Sequence, residues 1–283
     1  MKRFAVLALF AACGHAGDKP AEGGSAVNVV AVMAASPPPL TLTARIELKA
    51  AGKEPRQVLA YNPKVASREL CFTQGMVDTH ANVKLETKEM LEGSKNNVCI
   101  TWKNTAVDRL AYTFKISKVF IGAAHLGEDQ MSVGEKATIG AIEKGILASP
   151  EGTAKIDVQG RIALSAPGIA TQPSAPVLLW SYAIPFPAEA IGPGGTWHVR
   201  DVVPEENVPT DADYTLVSFT DGHAVVHWKR TMKTKDATAE GEGEATVALD
   251  DPEAVTASED DTVKLELGGA ADQAPPMKLH TSL

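Results

Sequence analysis

Alternation of apolar and polar residues constrains the fold of this chain more than any other feature, and it is clearest at 212–232. There the sequence ADYTLVSFTDGHAVVHWKRTM has two alternating halves joined at Asp221-Gly222. A strand points successive side chains to opposite faces, so alternation gives it one face for the core and one for solvent. Asp-Gly is a residue pair favoured by a two-residue type I′ turn. The segment is therefore predicted to be a β-hairpin.

Similar patterns recur along the chain. LTLTARIEL at 40–48 places five apolar residues on one face, and RQVLAY at 56–61 is predicted to pair with it across a turn at 52–55. KIDVQGRIALS at 155–165 has a central glycine and is predicted to be a second hairpin. Further predicted strands are NVKLETK (82–88), VCITWK (98–103), LAYTFKISKVFI (110–121), ATVALD (245–250) and DTVKLEL (261–267).

Helical signals are fewer. VGEKATIGAIEKGIL at 133–147 is predicted to form a short amphipathic helix around Ala137, Ala141 and Lys144, although glycines lower its helix propensity. APVLLWSYAI at 175–184 is predicted to form one or two helical turns that end before Pro185.

Many short strands with few helices predict a mainly β protein, α+β with few short helices. The predicted architecture is a curled antiparallel sheet or partly open barrel. It forms a single β-rich domain over 40–270, followed by a C-terminal tail over 271–283. Apolar residues make up 44% of the chain, which suffices for a core, while aromatic residues make up 5%. Val, Ile, Leu and Ala are therefore expected to fill most of that core.

The first 12 residues have the pattern of a signal peptide, with two basic residues before nine apolar ones. A permanent membrane span needs about 20 apolar residues, so this segment is too short to be one. Phe10-Ala11-Ala12-Cys13 resembles the bacterial lipobox, whose cysteine is lipidated and becomes the mature N-terminus. The alternative is an ordinary secreted protein cleaved near Ala12 or Ala16.

Lipidation of Cys13 implies a membrane anchor, because a diacyl or triacyl group provides the second chain that stable anchoring requires. Gly14 follows this cysteine, where lipoproteins retained in the inner membrane often carry Asp. The predicted location is the cell envelope at the periplasm, with the outer membrane favoured over the inner membrane. Residues 13–39, rich in Gly, Ala and Pro, are predicted to be a flexible linker after the lipidated cysteine.

Two further cysteines, Cys71 and Cys99, are predicted to form a disulfide, because an even pair in an exported protein usually does. A bridge between them should stabilise the fold by about 3.6 kcal/mol on the chain-entropy model. Their Cα atoms should then lie about 4.4–6.8 Å apart. The alternative is two separate buried thiols.

Charge is distributed unevenly along the chain, whose net charge is −8. Residues 236–283 hold 12 acidic residues against Lys264 and Lys278, while the preceding body is neutral. A neutral body with an acidic end lacks the basic surface that nucleic acid requires, so nucleic acid is not an expected partner. The acidic residues lack the spacing of a calcium loop, and no metal or cofactor is predicted.

His223 and His227 have the spacing of a metal pair only on a helix. On a strand, residues four apart lie roughly 13 Å from each other, at about 3.3 Å per residue. The neighbouring Asp221-Gly222 turn favours a strand, so these histidines are predicted to be surface or cross-strand residues.

Glycines crowd the stretch IGPGGTW at 191–197, where Gly192, Gly194 and Gly195 precede Trp197. Glycine is favoured where the backbone needs positive φ or a close approach. The stretch is predicted to be a structural turn leading into a strand that begins at Trp197, with the indole in the core. If the turn instead carried a binding site, Trp197 would face solvent.

Four segments occur in a characteristic order: PRQVLAYNP, ASPEGTAKIDVQGRI, IPFPAEAIGPGGTWHVRD and DYTLVSFTDGHAVV. In this order the chain resembles an uncharacterised family of bacterial exported proteins and lipoproteins, a domain of unknown function. The resemblance covers Arg56 to Val226 and implies envelope localisation without an established activity. Its hallmark positions are Pro187, Ile191, Gly192, Gly194, Trp197, Tyr214 and Leu216.

No nucleophile-elbow, S-x-x-K or H-E-x-x-H motif occurs, and the protein is predicted not to be an enzyme. Two functions of different class are left. In the first, an envelope-anchored lipoprotein binds a hydrophobic ligand in a hollow of the curled sheet, or binds an envelope partner. In the second, the domain is a structural or assembly scaffold of the envelope, with a packed interior and an exposed apolar patch.

Overall fold

The computed structural model describes residues 42–64, 67–77, 95–104, 111–121, 133–148, 151–165, 183–203, 208–233, 237–251, 254–265 and 277–283. Within them lie twelve strands and one helix, α1 (Val133–Leu147). The strands are β1 (Arg45–Ala50), β2 (Ser67–Val77), β3 (Lys95–Asn104), β4 (Ala111–Ile121), β5 (Gly152–Ile156), β6 (Ile162–Ser165), β7 (Thr196–Val203), β8 (Val208–Thr220), β9 (His223–Lys233), β10 (Ala237–Ala248), β11 (Ala254–Leu265) and β12 (Met277–Ser282). The predicted signal peptide, Cys13, the linker and the predicted strand at 82–88 lie outside the described residues.

All twelve strands form one sheet in the order β1-β7-β8-β9-β10-β11-β12-β2-β3-β4-β5-β6. Every neighbouring pair in it is antiparallel. The sheet does not close into a barrel, and the prediction of a mainly β protein with a curled antiparallel sheet is confirmed. Two meanders, β2 to β6 and β7 to β12, account for most of this order, because local turns join consecutive strands.

The C-terminal segment belongs to the sheet. Residues 271–283 were expected to be a tail, but Met277–Ser282 forms β12 in the middle of the strand order, between β11 and β2. Thr281 in it is 3% exposed. The sequence of this segment, MKLHTS, is too short for its alternation to indicate a strand.

Both predicted hairpins are present. Asp221 and Gly222 take φ values of 51° and 79° between β8 and β9, the two positive values that a type I′ turn needs. Gly160, with φ 81°, turns the chain between β5 and β6. The predicted helix has the predicted bounds, but Ala137 and Ala141 are exposed.

Helix α1 instead contacts β4 through another face. Ile146 is 9% exposed, and the Glu143 carboxylate accepts a hydrogen bond of 2.9 Å from the backbone N–H of Ile121. The Glu143 carboxylate thereby accepts a hydrogen bond from the part of β4 that does not pair with β5.

The predicted partner of β1 was wrong. Residues 56–61 do not pair with β1, whose neighbour is β7, from the far half of the chain. The chain after β1 turns toward the glycine-rich stretch, where Lys53 N–H donates to the Pro193 carbonyl at 2.9 Å. Gln57 then forms an isolated bridge with Ile191. A short loop between two strands favours a hairpin between them, but here Lys53 and Gln57 bond to residues 191–193 instead.

Two non-strand segments, 51–64 and 183–195, connect distant parts of the sheet. Tyr61 N–H donates to Val158 O at 2.8 Å and Asn62 N–H to Leu249 O at 2.7 Å. Phe186 N–H donates to Gln159 O at 2.7 Å. The turn of the β5–β6 hairpin is thus held near the β7 end of the sheet, which gives the sheet its curl.

The inner face of the curled sheet carries the core. Along β4 and β9, buried and exposed residues alternate, as the sequence pattern predicts. The largest side chains under 2% exposed are Trp197, Phe72, Phe114, Phe186, Leu59, Ile100, Ile156, Ile184, Ile191 and Leu216. The described part of the chain has no helix of the length and apolarity that a membrane crossing would need.

Candidate functional site

The glycine turn before β7 is packed against backbone. A Cβ on Gly192 would overlap the carbonyl of Lys53, and Gly194 has φ 79°, so side chains are excluded at one position and strained at the other. A Cβ on Gly195 would lie 2.9 Å from the carbonyl of Gly192. Close backbone approach therefore explains Gly192 and Gly195, and positive φ explains Gly194.

Trp197 follows this turn and lies fully inside, at 0% exposure. Its Nε1–H donates to the carbonyl of Pro185 at 2.7 Å. The indole stacks on Tyr214 with ring centroids 5.5 Å apart and contacts Phe186 at 5.8 Å. We call Trp197, Tyr214, Phe186 and Leu216 the tryptophan sector. Because the indole is buried and its N–H is bonded, the alternative of a solvent-facing binding site at Trp197 is not what the structure shows.

A small gap lies beside the tryptophan sector, between the β5–β6 hairpin and strands β7 and β8. It measures about 20 Å³ and is lined by residues that include Ile162, Val199, Asp201 and Thr210. One water needs about 10–15 Å³, while small-molecule sites measure about 300–1,000 Å³. At this place among the described residues, the interior has room for a water and not for a lipid.

The inner face becomes polar along β9, β10 and β11. Arg230 donates to Glu259 at 2.6 Å, and their side chains are 6% and 2% exposed. Trp228 Nε1–H also donates to Glu259, at 3.2 Å. We call Arg230, Glu259, Trp228 and Asp261 the arginine sector.

Strand β10 leaves room for these polar groups because it has glycine at two positions. Gly241 stands opposite Arg230 on one side and Asp261 on the other, and Gly243 stands between Trp228 and Glu259. A Cβ on Gly241 would overlap the Asp261 carboxylate, and one on Gly243 would overlap the Trp228 ring. The side chains of β9 and β11 therefore contact each other across the glycine backbone of β10.

Asp261 is the member of the arginine sector whose carboxylate is incompletely hydrogen-bonded. Its Oδ1 is buried without a hydrogen-bond partner among the described residues. Burial, followed by the nearby Glu259 carboxylate, raises the pKa of Asp261 to about 7, against the opposing effect of Arg230. This carboxyl therefore changes its charge near neutral pH.

The outer face of β7 to β10 carries cross-strand ion pairs. Arg200 bonds Asp211 at 2.9 Å, and Lys229 contacts Glu242 at 3.0 Å. The hydrogen bond from Arg200 holds the pKa of Asp211 below its ordinary value. We call Arg200, Asp211, Lys229 and Glu242, together with the exposed histidines of β9 described next, the ion-pair face.

The predicted cross-strand role of the histidines agrees with the geometry. His227 faces Glu244 across the β9–β10 pair, and His223 bonds the carbonyl of Asp221 at 3.0 Å. Both side chains are exposed on β9. Within the described residues no group of three His, Cys, Asp or Glu side chains is arranged to hold a metal.

Cys71 and Cys99 form a disulfide, directly opposite each other on β2 and β3. Their Cα atoms are 4.0 Å apart, slightly closer than the predicted range. The two residues are register partners in an antiparallel ladder, where opposed Cα atoms already lie only about 4.5–5.5 Å apart.

A groove of about 360 Å³ opens on the outer face of β3 and β4, next to the end of α1. We call it the β3–β4 groove. Two lysines, Lys103 and Lys115, lie along it with the hydroxyl residues of the same strands. Leu147 is the last residue of α1, and Glu151 immediately precedes β5. The full lining is Thr101, Lys103, Thr113, Phe114, Lys115, Ile116, Ser117, Leu147 and Glu151.

This groove is not predictable from the sequence of its two strands. VCITWK and LAYTFKISKVFI are predicted to be strands, but the sequence gives no pairing register between them. Only the register, in which Thr101 faces Lys115 and Lys103 faces Thr113, brings these residues together. No local signal in either segment reports that pairing.

Neither a scan against protein-family models nor a search of curated proteins found a match to this chain. The family resemblance stated from the sequence stays a prediction.

Proposed function

We propose that this protein is an envelope-anchored bacterial lipoprotein that acts as a non-catalytic binding module. Its ligand site is the β3–β4 groove, and its ligand is a small amphipathic molecule. The observation that carries this proposal is the groove itself, which combines a ligand-sized volume of about 360 Å³ with polar and apolar lining groups.

The position of the groove supports a binding role over an internal carrier role. The gap beside the tryptophan sector holds about 20 Å³, too little for an acyl chain. The groove is open to solvent, and Leu147 at its side is 37% exposed. A ligand can therefore enter without opening the core.

The envelope address rests on two features. Cys13 in its lipobox-like setting provides the anchor, and the Cys71–Cys99 disulfide suits an oxidising compartment such as the periplasm. A module held at a membrane surface meets amphipathic molecules at high local concentration, which agrees with an open groove.

Fractionation tests the anchor. The Cys13→Ala variant should move from the membrane fraction to the soluble fraction, because it cannot be acylated. Fractions should be washed with high salt and analysed by immunoblot, with intact-mass spectrometry of the wild-type N-terminus. A variant that stays in the washed membranes would show that the anchor lies elsewhere.

Binding of a fluorescent amphiphile tests the groove. Leu147→Asp places a charge in the groove and should weaken binding of a dansylated dodecyl probe at least tenfold. Val217→Asp is the matched control, since Val217 is 41% exposed on β8 and is not among the groove residues. Equal binding by both variants and the wild type would reject the groove as the ligand site.

A second candidate is the structural or assembly scaffold, which the ion-pair face favours. The ion-pair face presents both signs of charge on adjacent strands, through Arg200, Asp211, Lys229 and Glu242. A protein partner with the complementary arrangement of charges can bind such a surface. In-cell crosslinking distinguishes the two functions: a scaffold should give one discrete crosslinked partner that is lost on charge reversal at Asp211 and Glu242. A binding module should keep its ligand affinity in the same variant.

A further inference from the structure

We propose that the amphipathic ligand of the β3–β4 groove has an anionic head group, such as a phosphate monoester, held between Lys103 and Lys115. This inference rests on the proposed function and specifies its ligand class. The alkyl part of the ligand lies toward Leu147, which is 37% exposed at the side of the groove.

The two lysines converge because of the strand register. Lys103 is directly opposite Thr113, and Thr101 is directly opposite Lys115. The four residues form a square on the outer face, with the lysines on one diagonal, about 7–8 Å apart at the backbone. Two side chains of that length can bring their ammonium groups onto one anion between them.

Among the residues that the structure describes, neither ammonium has a carboxylate partner. Elsewhere on the outer face lysines meet carboxylates: Lys118 contacts Glu69 at 3.0 Å, and Lys229 contacts Glu242 at 3.0 Å. Within the described residues Lys103 and Lys115 make no such contact, although Glu151 lines the same groove. Like charges close together on a sheet are unfavourable, and a bound anion removes that cost.

Hydroxyl groups complete the anion site. The Thr101 and Thr113 side chains are partly exposed in the square and can donate to the oxygens of a head group. The Ser117 hydroxyl is already used, since it donates to Glu69 at 2.7 Å. The threonines are therefore the hydroxyl donors left for a ligand.

An amphiphile fits the site better than a free ion. Lys103 and Lys115 are exposed, and single ion pairs at exposed positions contribute little to affinity. Each CH₂ of a ligand that is buried adds to affinity, so an alkyl chain along Leu147 provides the affinity that charge alone does not. The charges then select the head group.

Isothermal titration calorimetry of the full chain, with ligands below their micellar concentrations, tests this selection. Three amphiphiles share a dodecyl chain and differ in head group: dodecyl phosphate, dodecylphosphocholine and dodecyltrimethylammonium. Inorganic phosphate is the fourth probe. Dodecyl phosphate should bind at least tenfold more tightly than either of the other amphiphiles, and its affinity should fall as salt is added.

The Lys103→Gln/Lys115→Gln variant should lose the preference for dodecyl phosphate and keep its affinity for dodecylphosphocholine. Lys49→Gln/Lys229→Gln is the matched control, because it removes the same charge from exposed sites outside the groove. Glu151→Gln should strengthen dodecyl phosphate binding severalfold, since it removes the competing carboxylate. Circular dichroism confirms that each variant is folded.

The outcomes separate the two proposals. Equal affinity for all three amphiphiles, or the same loss in the control variant, would overturn the anionic head group and leave the binding module intact. Inorganic phosphate binding as tightly as dodecyl phosphate would overturn the amphiphile. Binding of none of the probes would overturn both proposals.

Discussion

The inner face of the sheet has two sectors that are buried to a similar degree by opposite means. In the tryptophan sector, Trp197 and Phe186 are 0% exposed and packed ring against ring. In the arginine sector, Arg230 and Glu259 are 6% and 2% exposed and satisfy each other's charge. The first stabilises by removing apolar surface from water, while the second is stable only as long as both partners are present. The two sectors should therefore respond differently to the loss of one side chain.

Deleting the central indole should have the largest effect. Trp197→Ala should lower the free energy of unfolding by about 3–5 kcal/mol, because it removes a fully buried aromatic side chain and leaves a cavity. Trp197→Phe loses the hydrogen bond to Pro185 and part of the indole volume but keeps an aromatic ring in the core, so its loss of stability should be smaller. Chemical denaturation measures both. A loss below about 1 kcal/mol for Trp197→Ala, the scale of surface positions, would contradict the assigned core role.

Breaking the ion pair tests the other sector. Arg230→Met should lower stability by about 3 kcal/mol, since it leaves the Glu259 carboxylate buried without its cation. The Trp228 N–H remains as a donor to Glu259, which places the loss at the low end of the range for buried pairs.

The double variant Arg230→Met/Glu259→Gln should recover much of that loss. Glutamine carries no charge and still offers an oxygen to the Trp228 N–H. No comparable second substitution should rescue Trp197→Ala, because that variant loses side-chain volume and leaves no unpaired buried charge to remove. If the double variant is no more stable than Arg230→Met, the arginine sector behaves like the tryptophan sector and the comparison fails.

A smaller and pH-dependent effect is expected from Asp261. Its pKa is raised from 3.8 to about 7, so the folded protein binds this proton more tightly than the unfolded chain does. The resulting stabilisation is fully present below about pH 4 and is lost as the pH rises to about 7. Asp261→Asn removes this titration.

The difference in stability between Asp261→Asn and the wild type should therefore grow in favour of the variant from pH 4 to 7. One proton changes stability by at most about 1.4 kcal/mol per pH unit. Urea unfolding at several pH values in that window measures the slope of the difference. A pH-independent difference would show that Asp261 is ionised throughout, as a solvated carboxylate is.

The sequence predicted those parts of the fold that depend on neighbouring residues. The β8–β9 hairpin and helix α1 follow from turn chemistry and periodicity within about twenty residues. The sequence did not predict the partner of β1 or the position of β12 in the sheet, because strand order depends on pairing between strands that are far apart along the chain. RQVLAY satisfied the local rule for a hairpin, and contacts with Ile191 and Pro193 took precedence.

The candidate sites follow the same division. Trp197 and the glycines before it were visible because they lie within one seven-residue stretch. The Arg230–Glu259 pair joins strands that are not adjacent, with Gly241 between them, so no spacing along the chain indicates it. The β3–β4 groove needs the register of two strands and the end of a helix, and none of these is encoded by a motif.

The position of β12 has a consequence for how the protein folds. Its partner β2 lies about 200 residues earlier, whereas most other neighbouring strands follow one another along the chain. Each meander can therefore assemble quickly from local turns, but joining them requires the closure of a very long loop, which is entropically slow. Until β12 pairs with β2, β12 and β2 both present unpaired edges, and such edges invite pairing with other chains. The six residues Met277–Ser282 thus form the strand through which the two meanders join into one sheet.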